Sequence, residues 1–216
     1  LGFKAPKYAH ISPIMKNDNG NKRKLSKRKD PEAAVSYYAE EGIPAEAVKE
    51  YLLNIANSNF ENWRRANPDK KLDEFELQLN KMSVSGALFD MVKLLDVSKT
   101  VISKMTAEEV YENANMWATK YDTELKELLE DKEYALKVFG IERGNKKPRK
   151  DISKWSDVKE NIIYMYDDKF LNEEQEYPYQ VINNQNDMHI QNQNHDLEHH
   201  YHLLPRLSNM HNMYLF

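Results

Sequence analysis

The stretch Asn17-Asp18-Asn19-Gly20-Asn21-Lys22-Arg23-Lys24-Leu25-Ser26-Lys27-Arg28-Lys29-Asp30-Pro31 divides this chain into two kinds of sequence. Its first five residues are a turn signal, because Asn and Gly accept positive φ. The next eight, Lys22 to Lys29, carry six positive charges around Leu25 and Ser26. Asp30-Pro31 then reads as the start of a helix, with Asp as N-cap and Pro pre-set at the first helical position. Upstream, Tyr8 to Met15 (YAHISPIM) is rich in Ile and Tyr and predicts a short strand or extended segment, with His10 as a neutral residue within it. A hairpin carrying a basic loop should therefore end where a helical region begins.

Downstream the pattern is helix after helix. The first should run from Asp30 to Gly42. Pro44 opens a second, in which Val48, Leu52, Ile55 and Ala56 fall on one face. A loop with Asn67-Pro68-Asp69, a short amphipathic stretch from Leu72 to Leu79 and a loop from Ser83 to Gly86 follow. Asp90 can cap a helix bearing Leu94, Val97 and Val101. Thr106 and Glu109 form a capping box ahead of the stripe Val110, Ala114, Trp117 and Tyr121, whose tryptophan should pack in the core. Asp131 to Phe139 predicts a shorter helix closed by Gly140. The loop from Ile141 to Lys150 carries Arg143, Lys146, Lys147, Arg149 and Lys150, and a last helix should span about Ser156 to Phe170. Trp155 is expected in the core rather than stacked on a base. The fold class expected is mainly α, an all-helical array behind one extended hairpin.

The character changes after Leu171. Asn and Gln dominate Asn183 to Asn194, and six of the seven histidines lie between His189 and His211. Apolar periodicity is lost, so 172–216 is expected to be a low-complexity Asn/Gln/His-rich tail. His195 and His199 are spaced i, i+4, but no amphipathic helix surrounds them, and no metal site is expected.

With 216 residues, 40% hydrophobic and 31% charged, the chain suits a charged surface over a moderate core. A net charge of −4 excludes a uniformly basic nucleic-acid binder and leaves room for local basic patches. No cysteine is present, so disulfides and thiolate metal sites are excluded. No apolar run reaches the roughly 18 residues of a membrane span, and no signal peptide is evident. A cytoplasmic protein is the expectation. The first residue is Leu rather than Met, as expected of a fragment.

The chemistry concentrates in Lys24-Leu25-Ser26-Lys27-Arg28. Two lysines three apart on a loop can place two ammonium groups on one polyphosphate, with the Ser26 hydroxyl and backbone N–H groups adding hydrogen bonds. Cations that close over a phosphate stabilise charge as it develops, where catalysis gains most. The basic residues 143–150 suit contact with an RNA phosphate backbone, which supplies sequence-independent affinity. A solvated charge run is the alternative for both clusters.

Lys24 to Arg28 resembles the KMSKS signature of class I aminoacyl-tRNA synthetases, in the KLSKR form common among glutamyl-tRNA synthetases. The resemblance extends to the flanks. Residues 6–15 look like the strand before that loop, and Tyr37 and Gly42 lie in a stretch like the helix after it. Ser83-Val84-Ser85-Gly86-Ala87-Leu88-Phe89-Asp90 resembles the S-x-S-G-A-x-F-D segment that leads into the stem-contact helices. Lys147 to Asp151 and Trp155-Ser156-Asp157 resemble the α-helical anticodon-binding region.

The resemblance implies residues 1–30 as the end of the class I catalytic domain, 31–105 as stem-contact helices and 106–171 as part of an anticodon-binding subdomain. It implies that Lys27 binds ATP phosphate, that Lys24 holds the loop and the pyrophosphate, and that Ser26 supports the loop. Arg28 and Lys29 would join Arg143, Lys146, Lys147, Arg149 and Lys150 in contacting tRNA. The implied activity is glutamate–tRNA ligation, with ATP as substrate, Mg2+ as its counter-ion, tRNA-Glu as partner and a monomeric state. The HIGH-type motif and the glutamate-binding residues of the family are absent from this chain, so the chain alone should not activate glutamate. Two other readings stand beside this one: a non-catalytic RNA-binding helical module, and a glutaminyl-tRNA synthetase, whose anticodon region is built of β-barrels.

Overall fold

A computed structural model describes residues 2–6, 8 and 10–166, all of which belong to one unit of the chain. The expected tail, 172–216, lies outside the described residues, and its histidines with it.

The hairpin consists of β1, Met15–Asp18, and β2, Asn21–Lys24, paired antiparallel with Met15 opposite Lys24 and Lys16 opposite Arg23. Asn19 (φ 49°) and Gly20 (φ 86°) form its two-residue turn. Positive φ at both central positions matches the right-handed strand twist, which is why an Asn-Gly pair serves here. The Gly20 N–H donates to Asn17 Oδ1 at 3.0 Å and fixes the turn. The strand expected over Tyr8 to Met15 begins only at Met15, and the described residues before it carry no regular element.

Helices follow: α1, Val35–Glu41; α2, Ala45–Ala56; α3, Phe60–Ala66; α4, Met91–Ser103; α5, Ala107–Tyr121; α6, Thr123–Leu128; α7, Lys132–Gly140; and α8, Val158–Ile162. Short 3₁₀ turns at Pro31–Ala33, Leu72–Glu74, Leu79–Lys81, Trp155–Asp157 and Ile163–Met165 complete the described residues. The fold is mainly helical with one two-stranded sheet among the described residues. No helix among them is long and apolar enough to cross a membrane.

Several helix ends match the sequence chemistry. Asp90 accepts from Lys93 N, Asp131 accepts from Tyr134 N, and Thr106 and Glu109 form the reciprocal capping box. α1 closes at Gly42, with Gly42 N–H donating to Ala39 O and Ile43 N–H to Tyr38 O, which satisfies carbonyls at the helix end.

Other expectations need correction. Asp30 and Pro31 do open a helical turn, with Asp30 at its N-cap position, but the turn is 3₁₀, the Asp30 side chain makes no cap hydrogen bond, and α1 begins only at Val35. α3 and α6 occupy stretches where no helix was expected. The stretch from Leu72 to Leu79 opens on one 3₁₀ turn, passes the buried Phe75 without regular structure and reaches a second 3₁₀ turn only at Leu79, rather than forming one amphipathic element. Gly140 lies inside α7 instead of closing it, with Ile141 as the C-cap. The last helix is broken into 3₁₀ and α pieces that end at Met165. Leu52 stays 39% exposed, because the buried face of α2 is Ala47 and Tyr51.

Two apolar groups hold the helices. Ile43, Ala47, Tyr51 and Leu94 are buried where α2 meets α4, with Val48, Ile55, Phe89 and Val101 packed around them. Val110, Ala114 and Ala118 of α5, Leu125 and Leu128 of α6, Ala135, Val138 and Phe139 of α7, and Trp155, Val158 and Ile162 are also buried. Small residues along α5 let its neighbours approach closely. Trp117 is only half buried, and its indole N–H donates to Ala39 O and Glu40 O, both at 3.1 Å, joining α5 to the end of α1. The same end of α1 takes Trp155 N–H on Gly42 O at 2.9 Å and the Ser156 hydroxyl on Glu41 O at 2.9 Å.

Candidate functional site

The hairpin ladder continues one step past β2, with Leu25 N–H donating to Ile14 O at 2.9 Å. The chain then turns on Ser26: Lys29 N–H and Asp30 N–H both donate to Ser26 O, at 3.0 and 2.8 Å. Ser26 Oγ accepts weakly from Arg28 N–H at 3.4 Å. Lys27, Arg28 and Lys29 are exposed on this turn and Lys24 is exposed at the end of β2, while Ser26 is half buried.

Strand alternation sorts the charges, because neighbours along β2 point to opposite faces. Arg23 turns inward and donates twice to Asp30, at 2.7 and 2.8 Å, and once to Asp18 at 2.7 Å. Lys16, opposite it on β1, reaches Asp30 at 3.2 Å and pairs with Glu32. The Ser26 N–H donates to the same Asp30 carboxylate at 2.9 Å. Asp30 is 1% exposed. The Arg23 guanidinium holds its carboxyl well below the usual range, against the upward pull of burial and with help from Ser26 N–H and Lys16. The pKa of the Arg23 guanidinium is raised in turn, chiefly by Asp30. Of the six cations in 22–29, Arg23 is thus engaged, while Lys22, Lys24, Lys27, Arg28 and Lys29 form no ion pair among the described residues.

The segment Ser83 to Asp90 fastens this hairpin to the helices. Met15 N–H donates to Ala87 O and Phe89 N–H to Met15 O, both at 2.8 Å. The Ser12 hydroxyl donates to Val84 O at 2.7 Å. Gly86 has φ +77°, and a Cβ there would sit 2.5 Å from Pro13 O. Beyond it, Asp90 N–H donates to the Tyr51 hydroxyl at 2.7 Å, and Phe89 packs edge-on against the Tyr51 ring. A chain of contacts therefore links the hairpin that carries the basic loop to the core between α2 and α4.

The second basic cluster is divided. Arg143 is half buried, and its guanidinium donates to Phe139 O at 2.9 Å, Ile102 O at 2.8 Å and Met105 O at 3.3 Å. It thereby satisfies carbonyls at the ends of α7 and α4, where a cation is favoured. Burial lowers its pKa. Arg149 is also half buried and pairs with Asp151. Lys146, Lys147 and Lys150 are exposed, with Lys150 Nζ 3.1 Å from Thr100 Oγ1.

The chain is 57% identical over 171 residues to a glutamate–tRNA ligase of Clostridium perfringens strain 13, covering 79% of this chain and 31% of that protein. It is 54% identical over 177 residues to one of Clostridium beijerinckii, covering 82% and 32%. A glutamate–tRNA ligase of Sorangium cellulosum is 48% identical over 185 residues, covering 79% and 32%. The chain is thus similar to one region of several glutamate–tRNA ligases, at 48–57% identity over about 80% of its own length. It spans about a third of the length of the curated relatives it matches. No family model matches it.

Within this region, sequence reasoning located the exposed lysines of the loop and missed what holds them. Lys16, Arg23 and Asp30 form the base of the turn, and Asp30 carried only a helix-start signal. The alternation Lys22, Arg23, Lys24 on a strand was the one hint that Arg23 faces away from its neighbours.

Proposed function

We propose that this chain supplies the ATP-closing loop and the tRNA-contacting helices of a glutamate–tRNA ligase. One observation carries the reading: Lys24, at the end of β2, and Lys27, on the turn that Asp30 ties down, stand exposed and without ion pairs among the described residues. In this reading residues 1–30 close the class I catalytic domain, 31–105 are the stem-contact helices and 106–171 begin the anticodon-binding helices.

The activating reaction joins a glutamate carboxylate oxygen to the ATP α-phosphorus and expels pyrophosphate. Negative charge grows on the α-phosphate and on the departing group. Lys27 would meet the phosphates as that charge develops, Lys24 would hold the pyrophosphate, and Ser26 would steady the turn. Mg2+ is expected to arrive as the ATP counter-ion, since Asp18 and Asp30 are engaged by Arg23, and Glu32 by Lys16. The adenylated glutamate is then transferred to the 3′ end of tRNA, with tRNA-Glu as the partner.

Lys146, Lys147 and Lys150, with Arg28 and Lys29, are the exposed cations that can meet RNA phosphates. Arg143 and Arg149 would act there by shaping the loop that presents them. The helices from α5 to α8, where the glutaminyl enzymes have β-barrels, favour the glutamyl reading.

Filter binding of the chain to tRNA across a salt series, with ATP–pyrophosphate exchange measured alongside, tests the proposal. The chain should bind weakly, lose affinity steeply as salt rises and show no exchange by itself. Salt-insensitive or absent binding would remove the RNA role. Glutamate-dependent exchange by the chain alone would contradict the assignment of adenosine and glutamate contacts to another part of the enzyme.

A further inference from the structure

Asp30 binds both backbone polar groups of Ser26. Its own N–H donates to Ser26 O at 2.8 Å, and its carboxylate accepts from Ser26 N–H at 2.9 Å. This closes residues 26–30 into a ring through one backbone bond and one side-chain bond, so the Asp30 carboxylate adds to the backbone bonds that hold Lys27, Arg28 and Lys29. The remaining carboxylate lone pairs take two N–H groups of Arg23 and the ammonium of Lys16, from facing positions on β2 and β1. A carboxylate offers about four acceptor sites, and all are used here. The charged groups around Asp30 are Arg23, Lys16, Asp18 and Glu32, and the two cations lie between the three acids.

We infer that Asp30 is a positioning residue for the nucleotide step: it clasps the Ser26 turn and retains Arg23 on the inner face, so that Lys24 and Lys27 are presented to the ATP phosphates as an ordered pair. The inference rests on the reading of those two lysines as ATP-closing groups. A turn held in its working geometry before substrate arrives costs less to order during reaction, and misplacement of a charged group by about 1 Å can cost on the order of 100-fold in rate. Asp30→Asn keeps the size of the side chain. It replaces one acceptor with an NH2 group that faces donors, and it leaves Arg23 and Lys16 with a neutral partner.

Two measurements test this. In the 216-residue chain, tryptic cleavage within 22–29 should be faster in Asp30→Asn by about tenfold or more, with the helices cleaved as in the unmodified chain, because opening of the turn becomes easier. Cleavage at the unmodified rate overturns the clasp. Cleavage spreading through the helices also overturns it, since Asp30 would then serve the fold as a whole. In a full-length ligase carrying this segment, Asp30→Asn should lower kcat for pyrophosphate exchange by roughly 10- to 100-fold, with KM for ATP changed by less than about threefold. Lys27→Ala is assayed beside it. If Lys27→Ala is silent, the reading of the lysines fails. If Lys27→Ala is slow and Asp30→Asn retains full kcat, the reading stands and the positioning role of Asp30 is refuted.

Discussion

Gly20 and Gly86 show how alike two residues look in a sequence and how differently they are used. Both sit in turn signals, and both have positive φ, +86° and +77°. Around Gly20 an added Cβ meets nothing within 4 Å, whereas at Gly86 it meets Pro13 O at 2.5 Å, in the seam that fastens the hairpin to the helices. Gly20→Ala should cost about 1 kcal/mol, from backbone conformation alone. Gly86→Ala should cost more, about 2–3 kcal/mol, because the seam must open as well. On a unit of this size that is a Tm lowered by roughly 5–10 °C, against roughly 2–4 °C for Gly20→Ala. Thermal melts of the two variants check the order, and equal shifts would mean that the seam does not bear on stability. The turn at Gly20 was legible because Asn-Gly is a local instruction. The close approach at Gly86 depends on a residue more than seventy positions earlier, which periodicity cannot reveal. Asp30 is the same case: its local signal says helix start, and a 3₁₀ turn does start there, but its carboxylate goes to three partners on the neighbouring hairpin and turn instead of capping.

At the scale of elements, the helices with strong caps were readable. Asp90, and Thr106 with Glu109, accept the backbone N–H groups that the sequence assigns to them, and Asp131, where the sequence starts a helix, accepts from Tyr134 N. α3 and α6 were not, since seven and six residues are too few to establish a 3.6-residue period. They hold by tertiary contacts: Phe60 of α3 packs edge-on against Phe75 with ring centroids 5.0 Å apart, and Leu125 of α6 is fully buried. The loop after α7 shows the limit of reading charge as function. Arg143 binds three carbonyls at the ends of α4 and α7, while Lys146 and Lys147 face solvent. Arg143→Met should therefore destabilise the chain by about 2 kcal/mol, because those charge-assisted hydrogen bonds disappear. The Lys146→Ala, Lys147→Ala double variant should melt within about 0.5 kcal/mol of the unmodified chain. Chemical denaturation of both variants decides between them. A stable Arg143→Met would show that its guanidinium does not hold those helix ends.

Across the whole molecule, the net charge of −4 coexists with two exposed groups of cations, so the proposed attraction to RNA would be local. The same lysine double variant should reduce the slope of log affinity against log salt by about two for tRNA, roughly one for each phosphate no longer neutralised. An unchanged slope would place the RNA-binding surface elsewhere. The mainly helical fold class was legible from repeated apolar stripes and caps, and the likeness to glutamate–tRNA ligases from four short segments in order. The way the helices join was less so. α1 ends against Trp117 of α5 and against Trp155 and Ser156, through hydrogen bonds to carbonyls at its end that no stripe foretells.

The central claim is that Lys27 acts on ATP as the phosphates change charge. The most direct measurement is ATP–pyrophosphate exchange by a full-length ligase carrying this segment, with and without Lys27→Ala. Loss of about 2–4 kcal/mol of transition-state stabilisation predicts a kcat lowered by roughly 30- to 1000-fold with KM for ATP little changed. A raised KM with kcat untouched would contradict the account, because the lysine would then serve only to bind the nucleotide.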